Sequence, residues 1–269
     1  MSSWGDFLRL RALSRARHRV TAAAVVGAAL TASAVTTAVA PDARAATTMR
    51  ITKVVVNGGK DIVLATAAKR VTVTATISED SALEQVWLDL ENRTGDRLNF
   101  HASRQATCSA AGTVKTCTTT LTLDPRSDMV HNSLAGPANW TAYAQAKARD
   151  GDFDSDYFPS VAVRRLVAVS GDAGPEPVRK GAVLTVTGRL TAANWNTHSW
   201  TALAGRPVQL QFCKSPCTSY STVRTVTSPS TGALRATVTA SADGYWRWYH
   251  PAPVWATAAS SPADHVDVR

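Results

Sequence analysis

A chain of 269 residues with 29 Lys and Arg against 20 Asp and Glu carries a formal net charge of +9. Six of the Arg fall within the first 45 residues. Without that segment the balance is 23 basic to 18 acidic side chains, net +5, spread without a stripe or a motif, which excludes a nucleic-acid-binding class.

Residues 1–45 read as an export signal peptide. Arg9, Arg11, Arg15, Arg17 and Arg19 form a basic start, Val20 to Ala40 is uncharged, and Ala43-Arg44-Ala45 supplies the small residues of a cleavage site. An uncleaved anchor is the competing reading, disfavoured because the run is rich in Ala and Thr. The expected exported chain starts at Ala46 and is secreted. Its 224 residues suit two domains of ordinary length. No membrane span is expected after cleavage, and no sorting signal is visible, so any wall attachment is expected to be non-covalent.

Period-two alternation dominates from there on. Strands are expected over Met49–Val56 and Lys69–Ile77, the latter with Val71, Val73, Ala75 and Ile77 on one face and Thr72, Thr74 and Thr76 on the other. Glu84–Glu91 follows with Val86, Leu88 and Leu90 inward, which turns Trp87 and Asp89 outward. Arg97–Ser103 and Thr118–Leu123 come next. Trp140, Ala142, Ala144, Ala146 and Ala148 then share a face that suits close contact with an opposing sheet, and a strand over about Tyr157–Arg165 completes roughly seven. Seven short antiparallel strands predict an immunoglobulin-like sandwich over residues 46–165.

Residues 166–180, with Gly171, Gly174, Pro175 and Pro177, break the period and read as a linker and first-strand region. A second sandwich is expected over 181–269, with strands at Ala182–Leu190, Arg206–Cys213, Tyr220–Thr227, Ala233–Ala240, Tyr245–His250 and His265–Arg269. The run Asp243-Gly244-Tyr245-Trp246-Arg247-Trp248-Tyr249 is the heaviest of these. Alternation places Trp246 and Trp248 on one face, and Tyr245, Arg247 and Tyr249 on the other. The fold class is therefore all-β, two tandem immunoglobulin-like β-sandwiches behind a signal peptide.

The second half resembles the bacterial immunoglobulin-like domain of exported actinobacterial proteins. The resemblance is carried by Arg179–Gly188, Gly205–Phe212, Thr231–Leu234, Asp243–Trp248 and Asp264–Arg269. It covers about 165–269 well and 46–165 loosely. It implies the fold, an extracellular compartment and a core strand after Asp243-Gly244, with Trp246 and Trp248 inward; it says little of activity, although some members are labelled calcium-binding.

Four Cys in an exported chain read as disulfides, with three connectivities open. Pairing within the close pairs Cys108/Cys117 and Cys213/Cys217 is expected because each brackets a turn, and loops this short remove chain entropy worth about 2–3 kcal/mol each. Asp150, Asp152, Asp154 and Asp156 stand at every second position, so their oxygens could converge on Ca²⁺; the alternative is a solvated hairpin turn. Trp195, His198, Trp200 and Trp255 in the loops could stack on a sugar ring; the alternative is that the rings cap the end of a sandwich. No nucleophile elbow, zinc-protease helix or phosphate loop is present. The expectation is an exported, monomeric, non-enzymatic binding or spacer module with an extracellular or cell-wall partner of unknown chemistry. A calcium-dependent structural module using Asp150–Asp156 is the alternative, and carbohydrate binding through the loop aromatics a lesser one.

Overall fold

In the computed structural model, which describes residues 48–109, 112–127 and 129–269, the alternating stretches become paired strands. The expected signal peptide and its cleavage site lie outside the described residues. The first half contains β1 (Arg50–Val56), β2 (Ile62–Leu64), β3 (Lys69–Ser78), β4 (Leu83–Thr94) and β5 (Arg97–Gln105). It continues with β6 (Thr107–Cys108), β7 (Val114–Leu123), β8 (Trp140–Ala148), β9 (Phe153–Pro159) and β10 (Val163–Arg165).

One sheet runs β1-β3-β7-β6 and faces a second, β5-β4-β8-β9, with antiparallel pairing throughout both. This is the strand order of an immunoglobulin-type sandwich with one extra edge strand. Val71, Val73, Ala75 and Ile77 of β3 and the Ala run of β8 are buried between the sheets, as their alternation requires. The expected last strand is in fact two. Pro159 ends β9, and the chain crosses over so that β10 pairs in parallel with β2, which the sequence reading had missed.

The second half contains β11 (Val167–Gly174), β12 (Val183–Asn194), β13 (Ser199–Ala202), β14 (Pro207–Lys214) and β15 (Ser221–Thr227). It ends with β16 (Ala233–Thr239), β17 (Gly244–His250), β18 (Ala259–Ser260) and β19 (Asp264–Val266). Strand β12 is shared: β11 lies on one side, and on the other β16 pairs with its first part and β13 with its last. The facing sheet runs β15-β14-β17, with β18 and β19 dividing the outer edge of β17. The same sandwich architecture thus occurs twice in tandem. Among the described residues no helix is long and apolar enough to cross a membrane.

Trp246 and Trp248 both point into the second core. Trp248 is 0 % exposed, and its indole N–H donates to Thr187 O at 2.9 Å. Gly171 and Gly188 stand opposite one another across β11 and β12, and their missing side chains make the slot in which the ring lies. A Cβ on Gly188 would collide with Ser170 O and stand 2.8 Å from Trp248 Cδ1. Trp246 packs on Phe212 with ring centroids 4.5 Å apart.

Residues 166–180, expected as a linker and first-strand region, hold β11: only Leu166 separates it from β10, and Val167, Val169 and Ala173 alternate into the second core. One expectation needs correction: the stretch carrying Trp195, His198 and Trp200, read as a loop, is a hairpin, with Ala193 opposite Trp200 and Asn194 opposite Ser199. Its turn reaches into the first sandwich. Trp195 at that turn is buried with Ile62, Leu64 and the rest of the first core, and its indole N–H donates to Leu64 O at 3.3 Å. Asn132 of the first sandwich closes the joint. Its Nδ2 donates to Asn194 Oδ1 at 2.8 Å, and its Oδ1 accepts from Trp195 N at 2.9 Å. Beside it, Ala193 N donates to Leu166 O at 2.9 Å and Arg165 Nε donates to Ala193 O at 2.7 Å.

Candidate functional site

The four aspartates at 150–156 do not act as a set. Asp152 and Asp154 turn to the opposing sheet and accept backbone N–H groups of its edge: Met49 N reaches Asp152 Oδ2 at 3.4 Å and Ile51 N reaches Asp154 Oδ2 at 2.7 Å. These carboxylates satisfy donors that would otherwise be left bare at the edge of β1. Asp156 accepts from Tyr157 N at 2.7 Å. Asp150 alone joins other acids. Its carboxylate lies with those of Glu79 and Asp80 so that one oxygen from each falls within 4.8 Å of the others.

The aromatic set is divided as well. Trp195 is removed from any ligand surface by its burial in the first core, which corrects its expected place in an open loop. Trp255 is covered by cations, with the guanidinium carbons of Arg206 and Arg165 at 4.9 Å and 5.3 Å from its ring. Burial, and then the neighbouring Arg206, push Arg165 below the usual arginine range. His198 and Trp200 remain exposed on the hairpin, Trp200 at 43 %. The rings therefore form no common platform.

Each close cysteine pair is joined: Cys108–Cys117 links β6 to β7, and Cys213–Cys217 closes the turn after β14.

A denser constellation, missed from the sequence, lies on the outer face of β4 and β5. Asp89 and Glu91 are buried although their face points away from the core. The strand register explains this: His101 pairs with Glu91 and Ser103 with Asp89 on β5, while Thr141 and Tyr143 oppose them on β8. His101 Nε2 sits 3.0 Å from Asp89 Oδ2 and 3.8 Å from Glu91 Oε1, so the imidazole bridges both carboxylates. Ser103 Oγ donates to Asp89 Oδ1 at 2.5 Å, and Arg93 Nε donates to Glu91 Oε2 at 2.5 Å. This bond raises Arg93 above the usual arginine range.

Serine, aspartate and histidine meet here with the acid in the middle. A nucleophilic triad needs the histidine between the serine and the acid, so this order does not activate Ser103. Arg93 and His101 are already engaged with the two carboxylates, which makes the group a self-contained brace on the sheet. A period-two reading of β4 alone cannot find it, since cross-strand neighbours supply the burial.

No family model matches the chain, and no curated protein matches it. Among solved structures it is similar to the fibronectin(III)-like modules of CbhA from Clostridium thermocellum at 13 % identity, covering 80 % of this chain and 93 % of that one, TM-score 0.32. It is similar to the D00-D0 domain of intimin at 12 % identity, covering 80 % and 99 %, TM-score 0.29. The mouse nectin-like molecule 4 ectodomain aligns at 13 % identity over 80 % and 64 %, TM-score 0.27. At these scores the likenesses assign no function, and the assignment to immunoglobulin-like sandwiches stands on the strand order itself.

Proposed function

We propose that the chain is an exported, non-enzymatic module that works outside the cell as a spacer or binding element, its two sandwiches locked as one piece. The observation that carries this reading is Trp195. A large ring donated by one sandwich to the core of the other, with Asn132 bonded around it, joins the halves far more firmly than a polar domain contact would. A spacer must pass position and force from one end to the other, and a rigid joint does that. Two disulfides within a core-bearing chain suit an oxidising, extracellular compartment. The sugar-binding alternative is left with Trp200 and His198 alone, too few exposed groups to grip a ring from two sides.

Small-angle scattering from the purified protein tests the reading. The expected profile fits one fixed arrangement of the two sandwiches, and Trp195→Ala broadens it into an ensemble. A wild-type profile that itself demands many arrangements would overturn the spacer role.

A further inference from the structure

The inner faces of two opposing strands run out into acid at the same end of the first sandwich. On β3 the buried series Val71, Val73, Ala75 and Ile77 continues in phase to Glu79. On β8 the series Trp140 to Ala148 continues in phase to Asp150. Asp80 completes the group, and one oxygen from each of the three lies within 4.8 Å of the others.

Glu79 is 0 % exposed. Its Oε1 accepts from Ser81 N at 2.7 Å, while its Oε2 is buried with no hydrogen-bond partner among the described residues. Asp80 and Asp150 are exposed, so the group opens to solvent on one side. Lys115 is the cation packed against it. Its ammonium donates to the Glu79 carbonyl oxygen, and among the described residues no ion pair holds the Glu79 carboxylate. This distinguishes Glu79 from Glu91, whose carboxylate is held by Arg93. A buried carboxylate oxygen without a donor or a counter-charge is costly, and it is satisfied either by a proton or by a metal ion.

We propose that Glu79, Asp80 and Asp150 form a site for a hard divalent cation, Ca²⁺, that ties the β3–β4 turn to the β8–β9 turn across the end of the first sandwich. All donors are oxygen, which selects Ca²⁺ over softer metals, and oxygens no more than 4.8 Å apart are close enough to be bridged by two Ca–O bonds, which reach roughly 4.6–5.2 Å. The open side admits water to complete six to eight ligands, which suits Ca²⁺ better than the stricter octahedron of Mg²⁺. The raised proton affinity of Glu79, caused first by burial and increased by Asp80 and Asp150, sets a proton in competition with the metal. The site is independent of the spacer role: its failure would leave the scattering of the two sandwiches unchanged.

The test is the melting midpoint of the purified protein with CaCl₂, MgCl₂, ZnCl₂ or a chelator at pH 7. A Ca²⁺ concentration about tenfold above Kd is expected to raise the midpoint by roughly 3 °C or more, because only the folded chain holds the site. The rise should vanish in Asp80→Asn/Asp150→Asn, which changes only exposed side chains, and persist in Asp156→Asn. No rise with Ca²⁺ in the wild type overturns the proposal. A rise that survives the double substitution, or one that Zn²⁺ alone produces, overturns it as well.

Discussion

The two sandwiches share a strand order and fill it differently. The second is built around its own rings, Trp246 and Trp248, with Trp248 laid into a slot that Gly171 and Gly188 leave open. The first is built from Val, Leu, Ile and a strand of Ala, with its own Trp140 and Phe100 packed on one another, 5 % and 3 % exposed. The largest side chain fully buried in its core is Trp195, which belongs to its neighbour. It also buries charge: Glu79, Lys115, Asp89 and Glu91. One half is thus self-sufficient in apolar volume, whereas the other takes part of its volume from outside and closes its surfaces with polar groups. Stability should therefore be independent in the second sandwich and conditional in the first.

The strongest way to break this contrast is Trp248→Ala. Removing a fully buried ring is expected to cost about 3–5 kcal/mol, seen as a lower denaturant midpoint, with nothing nearby able to refill a slot made by two glycines. Native-like stability would show that the second core does not depend on the ring. Trp195→Ala is expected to cost near the lower end of the same range, about 3 kcal/mol, and to do so in the first sandwich although the residue is in the second. Calorimetry should then resolve two transitions, the first sandwich melting earlier, where the wild type shows one. A single, uniformly shifted transition would mean that the joint does not separate the two stabilities.

The smallest effect sharpens the contrast through pH. Burial raises Glu79 above its ordinary value of 4.5. Below that value folded and unfolded chains both hold the proton and the side chain has no effect. As pH rises past it, the unfolded chain ionises first, so stability falls until the folded group ionises too and then levels off. In metal-free buffer Glu79→Gln should remove this decline and be more stable than the wild type at neutral pH, with no change below the ordinary glutamate range. Parallel pH curves for the two proteins would show that Glu79 ionises freely.

Much of this was legible in the sequence. Period two placed Val71 to Ile77 and the Ala face of β8 on inner faces, since a sheet with one buried side leaves no other phase; it put Trp246 and Trp248 on one face, and the family resemblance turned that face inward. Trp195 was not legible, because Asn-Trp-Asn at a hairpin turn has no period, and its burial comes from another sandwich. Asp89 was read as outward, and so it is; its burial, like that of Glu91 on the same face, comes from strands on either side, which one strand cannot report. Asp150 and Asp152 were read with Asp154 and Asp156 because they are adjacent in sequence. The more informative signal was phase, for Glu79 and Asp150 each continue a core face, and an acid at such a position asks for a partner.

Strand β9 lies at the border of its sheet, where bare amides and carbonyls could recruit a strand from another molecule. Its Asp154 is turned inward to grip Ile51 N, and Asp152 just before it grips Met49 N. Inward charge of this kind makes a border unattractive to a foreign strand, which would have to displace or bury it. The aspartates that look like a metal loop in the sequence therefore also act as a guard against self-association.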